Sequence, residues 1–269
     1  MSSKKNTKRT SIKSVSPIAP YIGGKRLLAK TIIERINDIE HKTYAEAFVG
    51  MGGVFFRRDQ QPQAEVINDY SQEVSNLFRI LQRHYPQFLD TIKYQITSRA
   101  HFNRLADTPN DTLTDLERAA KFIYMQRTAF GGKVSGKNFG VSADRPARFD
   151  LNKLVPMLED VHERLSCVVI ECLSFEKFIL KYDKPGTLFY LDPPYFGCED
   201  DYGKNMFERS DFELLANILS NIKGRFILSL NDVPEIIKIF KSFDIEAVNT
   251  TYSLAKNSSK KVGELIVSN

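Results

Sequence analysis

The sequence of 269 residues predicts an α/β fold in which a mainly parallel sheet carries a helical insertion and ends in an antiparallel hairpin. Strand and helix patterns alternate before residue 71 and after residue 165, as in a parallel sheet with helices on both faces. Between Ser71 and Leu165 the apolar residues follow helical spacing and strand patterns are almost absent. A polar loop at 256–261 joins the last two strands, which predicts the hairpin.

The composition excludes several classes of protein. Hydrophobic residues make up 42% and charged residues 26%, which is ordinary for a globular chain with one sizeable core. No apolar run reaches the roughly 20 residues of a membrane helix and no secretory signal begins the chain, so we expect a cytoplasmic protein without membrane contact. The three cysteines form no CxxC pair and the four histidines lack ligand spacing, so we expect no metal site. A net charge of +5 permits a polyanionic partner without requiring one.

The N-terminal residues 1–16 are predicted to be a flexible basic arm. They include Lys and Arg side chains, no acidic group and almost nothing apolar, so they bury too little surface to offset the entropy of ordering. Such an arm either contacts the phosphates of a polyanionic partner or is a solvated tail without a role.

A first helix and two strands follow the arm. The helix is predicted over Lys25–Ile39, where apolar side chains recur at helical spacing. A strand over Tyr44–Phe48 runs into a glycine loop, and a second strand over Glu65–Asn68 ends at Asp69. Ligands of open α/β sheets bind at the carboxyl ends of such strands, so we expect a site here.

The segment 71–165 interrupts this alternation. Helices are predicted around Val74–Leu81 and Leu116–Tyr124, and a loop at 131–148 contains glycines and more basic than acidic residues. The basic side chains of this loop are those of Lys133, Lys137, Arg145 and Arg148. We expect residues 17–70 and 166–269 to form one α/β domain, and 71–165 to be a helical insertion with a mobile, positively charged loop.

Five strands and two helices are predicted after Ser166. The strands are Cys167–Glu171, Thr187–Leu191, Arg225–Leu230, Ile245–Tyr252 and Gly263–Val267, and the helices are Phe212–Leu219 and Pro234–Phe240. No internal repeat is present, which excludes a repeat array.

The strongest motif is Asp192-Pro193-Pro194-Tyr195, directly after a predicted strand. Two prolines fix the backbone and leave carbonyl groups free, so the motif presents a carboxylate, a rigid carbonyl and an aromatic face together. A nucleobase amino group could donate its two hydrogens to Asp192 and to the Pro193 carbonyl, while the ring stacks on Tyr195. The competing interpretation is a proline turn that merely ends the strand.

The loop from Glu46 to Gly53 indicates a cofactor site of a particular kind. It has neither the spacing of a dinucleotide-binding loop nor that of a phosphate-binding loop, so a cofactor without a pyrophosphate fits better. Asp69, after the next strand, is placed to accept hydrogen bonds from two ribose hydroxyls. The competing interpretation of Asp69 is a structural helix cap.

These motifs together resemble a known family. In order along the chain, Tyr21-Ile22-Gly23-Gly24-Lys25, the Glu46 to Gly53 loop, Asn68-Asp69, Asp192 to Tyr195 and Glu264-Leu265-Ile266 resemble the Dam-like (DPPY-type, alpha-class) DNA adenine-N6 methyltransferases, here as an orphan member of phage or prophage type. The resemblance implies a Rossmann-like S-adenosylmethionine-dependent methyltransferase sheet, with 17–70 and 166–269 as the catalytic domain and 71–165 as a helical target-recognition insert. It also implies S-adenosyl-L-methionine as cofactor and double-stranded DNA as partner, without an obligate protein partner. The acceptor would be the exocyclic amino group of a flipped adenine.

The resemblance assigns the site residue by residue. The catalytic residues would be Asp192, Pro193, Pro194 and Tyr195. The cofactor would be bound by Tyr21, Lys25, Glu46, Phe48, Gly50, Gly52, Asp69, Ser174, Phe175 and Asp192. DNA would be bound by Lys133, Lys137, Arg145 and Arg148. For Lys25 three interpretations stay open: contact with the cofactor carboxylate, contact with DNA, or a solvated lysine.

Two departures and three alternatives remain. Tyr21 stands where many relatives have tryptophan, and Ser174 stands where many have an aspartate that meets the cofactor adenine; a serine hydroxyl binds that amino group less strongly. RNA or a protein amide as acceptor, and an inactive DNA-binding module, are the alternatives. Asp192 argues against the amide, because relatives that act on glutamine usually have asparagine there. The recognition sequence and the presence of a companion restriction enzyme stay open.

Overall fold

A computed structural model describes residues 9–130, 138–140, 144, 146–198, 207–255 and 258–269, without the side chains of 249–262. The strands are β1 (Thr10–Ser11), β2 (Thr43–Glu46), β3 (Gln60–Gln61), β4 (Ala64–Asn68), β5 (Val169–Glu171), β6 (Thr187–Leu191), β7 (Arg225–Asn231), β8 (Asp244–Ala255) and β9 (Ser258–Ser268). The helices are α1 (Ala29–Asp38), α2 (Gln72–Arg83), α3 (Tyr85–Ile92), α4 (Arg99–Asp107), α5 (Asp115–Thr128), α6 (Leu151–Leu165), α7 (Phe175–Tyr182), α8 (Arg209–Leu219) and α9 (Pro234–Ile239).

The main sheet has seven strands in the order β5-β4-β2-β6-β7-β9-β8. The first five are parallel, whereas β9 runs antiparallel to both β7 and β8. The predicted α/β class, the mainly parallel sheet and the C-terminal hairpin are therefore confirmed. The strand order reverses between β2 and β6, which is where ligands bind in open sheets of this kind.

The register of the central strands brings three acidic residues to one edge. Glu46 at the end of β2 pairs with Ile67 of β4 on one side and with Tyr190 of β6 on the other. Asp69 and Asp192 each follow two residues after those partners. Three loops that are distant in the sequence therefore meet above β2.

The central strands are buried on both faces, which explains their nearly continuous apolar sequences. Every residue of β6 is buried, with Leu188 and Tyr190 facing one core and Phe189 and Leu191 facing the other. Helices α1 to α6 pack on the first face and α7 to α9 on the second. The helical segment predicted as an insertion therefore shares its core with the sheet and is a layer of the same body. Its role in target recognition stays a prediction.

A buried ion cluster joins this helical layer to the sheet. The guanidinium groups of Arg58 and Arg164 both donate hydrogen bonds to the Glu65 carboxylate. The nitrogen–oxygen distance is 2.6 Å for Arg58, and the two distances for Arg164 are 2.7 and 2.8 Å. The Arg58 guanidinium also stacks 3.7 Å from the ring centre of Tyr44. All three charged residues are at most 8% exposed, so these contacts replace their hydration.

The prediction of a flexible arm over 1–16 is wrong for residues 9–16. The Arg9 guanidinium donates to the carbonyl oxygens of Asn37 and Ile39, each at 2.6 Å, at the end of α1. Strand β1 pairs with β3, and the side chain of Val15 is buried in the core. Backbone pairing and helix capping thus order a segment with few apolar residues. Residues 1–8 lie outside the described part of the chain.

The first helix is shorter than predicted. It begins at Ala29 and not at Lys25, because the residues before it form a turn in which the Arg26 amide donates to the Gly24 carbonyl. This turn directs the Lys25 side chain into the protein, where it is 2% exposed.

Candidate active site

A cleft of about 450 Å³ lies at the carboxyl ends of β4, β2 and β6. Most of the residues predicted to be catalytic or to bind the cofactor line this cleft: Tyr21, Lys25, Glu46, Phe48, Gly50, Asp69, Asp192 and Pro194. Its size is typical of a small-molecule site. The sequence motifs therefore converge on one cavity.

Asp69 is held between the glycine loop and the start of α2. One carboxylate oxygen accepts the Gly50 amide at 2.8 Å and the other accepts the Ser71 amide at 2.9 Å. Burial raises the pKa of Asp69 to about 6, and the two amide hydrogen bonds oppose this rise. Asp69 thus fixes the turn that precedes α2, whose N-cap residue is Ser71, and its carboxylate lines the cleft.

The two glycines predicted to meet the cofactor have different surroundings. Gly50 lines the cleft with φ of 50°, and a β-carbon there would approach the Tyr21 ring to 3.0 Å. Gly52 has φ of 70° and does not line the cleft; a β-carbon there would lie 2.2 Å from the Phe56 ring. Gly52 is therefore required by the turn and by packing.

Glu46 is a buried acid with one clear partner. The Tyr44 hydroxyl donates to its Oε2 atom at 2.5 Å. Burial raises the pKa of Glu46 to about 8, and the hydrogen bond from Tyr44 and the charge of Arg58 oppose this rise. The carboxyl is thus mostly neutral at pH 7, and a positive charge bound in the cleft would favour its ionised form.

Lys25 joins the first loop to the Asp192 motif. Its ammonium lies 2.6 Å from Asp192 Oδ1 and donates to the Tyr195 hydroxyl at 2.6 Å. The buried carboxylate of Glu264, from β9, lies 3.9 Å away. The interpretation of Lys25 as a solvated lysine is therefore wrong.

The Asp192 carboxylate is partly accessible from the cleft, with its side chain 17% exposed. The Ser229 hydroxyl donates to the same Oδ1 atom at 3.1 Å. Burial raises the pKa of Asp192 above its ordinary value, while Lys25 opposes the rise and Glu264 adds to it. The motif therefore presents its acid to the cleft, which a turn that merely ends a strand would not do.

The rest of the motif is fixed by packing and by β7. Pro193 and Pro194 are buried, and Pro194 but not Pro193 lines the cleft. Tyr195 is partly exposed and lies beside the cleft lining. Asn231, at the end of β7, accepts the Phe196 amide and donates to the Phe196 carbonyl, both at 3.0 Å. This clamp fixes where the chain leaves the motif.

Besides Gly52, two residues predicted to bind the cofactor lie outside the cleft lining. The Ser174 hydroxyl accepts the Lys177 amide at 3.5 Å and caps the start of α7. The Phe175 ring packs against Phe48 at 5.9 Å and Phe207 at 5.6 Å, measured between ring centres. Phe175 thus supports Phe48, and the contact of Ser174 with the cofactor stays a prediction.

Several cleft residues were not predicted from the sequence: Arg26, Arg57, Tyr70 and Arg127. Arg26 and Tyr70 adjoin predicted site residues, which was an available signal. Arg57 and Arg127 belong to helical turns whose sequences give no such signal. Of the predicted DNA-binding residues, Arg148 donates to the Ala129 carbonyl at 3.1 Å, whereas Lys133, Lys137 and Arg145 lie outside the described residues.

The fold and the cleft define an α/β enzyme that binds a nucleoside-type cofactor beside a carboxylate and an aromatic ring. Residues 21–254 match the D12 class N6 adenine-specific DNA methyltransferases, and the chain belongs to this family. The protein is a DNA adenine methyltransferase, and its methyl donor is S-adenosylmethionine.

Two methyltransferases are similar in sequence to this protein over nearly the whole chain. The type II methyltransferase M1.LlaDCHI of Lactococcus lactis subsp. cremoris is 29% identical, over 95% of this chain and 96% of the relative. The type II methyltransferase M.CviBI of Paramecium bursaria Chlorella virus NC1A is 23% identical, over 94% and 96%. A SAM-dependent O-methyltransferase structure from Thermotoga maritima has a TM-score of 0.37 and 8% identity, over 90% of this chain and 64% of that one.

Among the described residues, none of the helices has both the length and the apolar character to cross a membrane.

Proposed function

We propose that the cleft holds S-adenosylmethionine and that the Asp192-Pro193-Pro194-Tyr195 motif holds an adenine extruded from duplex DNA. The observation that carries this proposal is the strand register, which gathers Asp69, Glu46 and Asp192 around one cleft. Three acids at strand ends suit a ligand with ribose hydroxyls at one end and a positive centre at the other.

The cleft residues fit this cofactor. Each Asp69 oxygen accepts one amide hydrogen and has capacity for another, so ribose hydroxyls can still donate to it. Gly50 has no β-carbon, which leaves its backbone and the Tyr21 ring open to the cleft. When bound, the cofactor supplies a methyl group on a positively charged sulfur.

Asp192 and the Pro193 carbonyl each accept one hydrogen of the adenine amino group. Two acceptors favour the pyramidal geometry that frees the nitrogen lone pair, which is otherwise delocalised into the ring. Lys25 opposes the rise that burial causes in the pKa of Asp192, and so favours the carboxylate form that accepts this hydrogen bond. The methylated nitrogen is strongly acidic and loses its extra proton to solvent without a strong base.

Alignment and base extrusion set the energetic balance. Holding the amino nitrogen about 3 to 3.5 Å from its target can supply roughly 7 to 11 kcal/mol in favourable cases. Extrusion from the duplex costs a few kcal/mol, and stacking on Tyr195 offsets part of this cost. Arg148 and the basic residues at 133, 137 and 145 hold phosphates on the flanks.

We further propose that the protein acts on the nucleoid, in the cytoplasm of a bacterial or phage-infected cell, with site-specific or relaxed sequence specificity and without a protein partner. Duplex DNA, single-stranded DNA, RNA and protein should each be incubated with the purified chain and a cofactor that carries a labelled methyl group. We expect label in adenine of duplex DNA, and sequencing of methylated adenines then gives the target site. Label in RNA or protein alone would contradict the proposal.

The role of Asp192 is tested by Asp192→Ala. We expect this variant to bind S-adenosylhomocysteine with nearly unchanged affinity and to lose methyl transfer by a factor of roughly 100 or more, as for other removed active-site hydrogen-bond partners. Asp192→Asn, which keeps one acceptor oxygen, should be intermediate. Near-normal transfer by Asp192→Ala would exclude the assigned role.

A further inference from the structure

We propose that Arg57 and Arg26 bind the carboxylate of the cofactor's methionine part. This inference rests on the proposed function, which puts the cofactor in the cleft. It assigns a binding role to two residues that belong to none of the sequence motifs.

Arg57 is held where the two glycine loops of the cleft meet. Its Nη1 atom donates to the Gly53 carbonyl at 2.6 Å. A β-carbon at Gly53 would lie 3.3 Å from the Lys25 amide nitrogen, 3.9 Å from Arg57 Nη1 and 4.0 Å from the Gly24 α-carbon. The guanidinium is thus fixed at the contact between the Gly24–Arg26 turn and Gly53, and both arginines line the cleft.

Both arginines line the cleft, and no acid among the described residues neutralises their charges. Within the described ranges, neither Arg26 nor Arg57 has a carboxylate within 4.0 Å. Partial burial and the charge of Arg26 both lower the pKa of Arg57. A bound anion would relieve this repulsion, and guanidinium groups bind carboxylates with paired hydrogen bonds.

The charge of the cofactor decides which of its groups faces the arginines. Its sulfonium and ammonium groups are positive and would be repelled, whereas its carboxylate is its single negative group. The acids Glu46 and Asp192 lie elsewhere in the same cleft and suit the positive groups. The carboxylate therefore points to the Gly24 and Gly53 end.

The test compares two ligands that differ by one group. S-adenosylhomocysteine carries the carboxylate, and its decarboxylated analogue, S-adenosyl-3-thiopropylamine, keeps the amine without it. Dissociation constants for both are measured by calorimetry on the full chain, for the wild type, Arg57→Met and Arg26→Met. Arg35→Met, which removes a surface ion pair with Glu246 outside the cleft, is the matched control.

We expect Arg57→Met to weaken S-adenosylhomocysteine binding about 10-fold to 100-fold, as for a charged hydrogen bond, and to change binding of the amine analogue less than about twofold. Arg26→Met should have the same pattern with a smaller effect. Equal weakening of both ligands would overturn the proposal, because it would indicate lost shape and not a lost carboxylate contact. Arg57→Lys retains the charge and carries the test if Arg57→Met does not fold.

Two further outcomes separate this inference from the proposed function. If S-adenosylhomocysteine binding is unchanged while DNA binding weakens and becomes less dependent on salt, the arginines bind phosphates and the carboxylate proposal is wrong. Asp69→Asn should weaken both nucleoside ligands, because both carry the ribose. If it changes neither, the cofactor lies elsewhere and the proposed function fails; if it weakens both but the arginine variants do nothing, only the carboxylate site fails.

Discussion

Replacement of Lys25 by methionine tests whether this lysine keeps Asp192 ionised. The ammonium of Lys25 lies 2.6 Å from Asp192 Oδ1 in a site where the two side chains are 1% and 17% exposed. In the variant, the hydroxyl of Ser229 would be the remaining donor to this carboxylate among the described residues. The buried charge would then lack its counterion.

The expected loss follows from these exposures. Removing one member of a buried ion pair costs about 3 to 5 kcal/mol, and the partial exposure of Asp192 places the loss in unfolding free energy near the lower value. The pKa of Asp192, which burial already raises, should rise further without Lys25. Below that pKa the carboxyl is protonated, so transfer falls; as the pH rises through it, the acceptor is restored.

The assay is the transfer of labelled methyl groups into duplex DNA between pH 6 and 9. The ratio of wild-type to Lys25→Met turnover should shrink as the pH rises, while Lys30→Met, at an exposed position on α1, should match the wild type throughout. The double variant Lys25→Met/Asp192→Asn should be more stable to urea than Lys25→Met, because it buries no unpaired charge. A rate ratio that is constant with pH would refute the reasoning.

Three more predictions concern stability and DNA binding. The pKa of Glu46 is raised to about 8 in the folded protein, so the folded protein holds a proton that the unfolded chain releases above about pH 4.5. The free energy of unfolding should therefore fall as the pH rises from about 4.5 to 8, by up to about 1.4 kcal/mol per pH unit. Glu46→Gln should remove this fall in urea unfolding measured at pH 5.5 and 8.5; an unchanged slope would exclude Glu46 as its source. Gly52→Ala should lower the free energy of unfolding by roughly 2 kcal/mol or more, because it combines a positive φ with a clash against Phe56, and a melting temperature equal to that of the wild type would contradict this. Deletion of residues 1–8, which contain Lys4, Lys5 and Lys8, should reduce the salt dependence of DNA binding, with the slope of log K against log salt as the measurement. An unchanged slope would indicate that residues 1–8 make no phosphate contacts and are a solvated tail without a role in DNA binding.

The sequence predicted those parts of the site that depend on local chain chemistry. Glu46, Asp69 and Asp192 could be found because each stands at or just beyond the end of an apolar strand, and parallel strands bring such positions to one edge. The class of fold followed from the same alternation of strands and helices. The two prolines after Asp192 had a local physical meaning as well.

The rest of the site depends on long-range contacts that leave no local pattern. Lys25 was left with three interpretations because nothing near it in the sequence indicates an ion pair with Asp192. The sequence indicates only that Tyr44 belongs to a strand, and the hydrogen bond from its hydroxyl to Glu46 is visible only in the structure. Ser174 was assigned by its position in a motif, and no local pattern indicated that its hydroxyl also caps α7. Arg9 reads as part of a solvated tail because the carbonyl groups that bind it lie about 30 residues away.

The Arg58, Glu65 and Arg164 cluster has a consequence for re-engineering the target sequence of this enzyme. Arg164 lies on α6, within the segment 71–165 that is predicted to recognise the target, whereas Glu65 and Arg58 lie outside this segment. A graft without an arginine at this position would remove two of the donors to Glu65 in the interior of the protein. The stability of a chimaera should therefore depend on this buried arginine. A donor segment that has an arginine at this position should give a more stable chimaera than one chosen for overall sequence similarity.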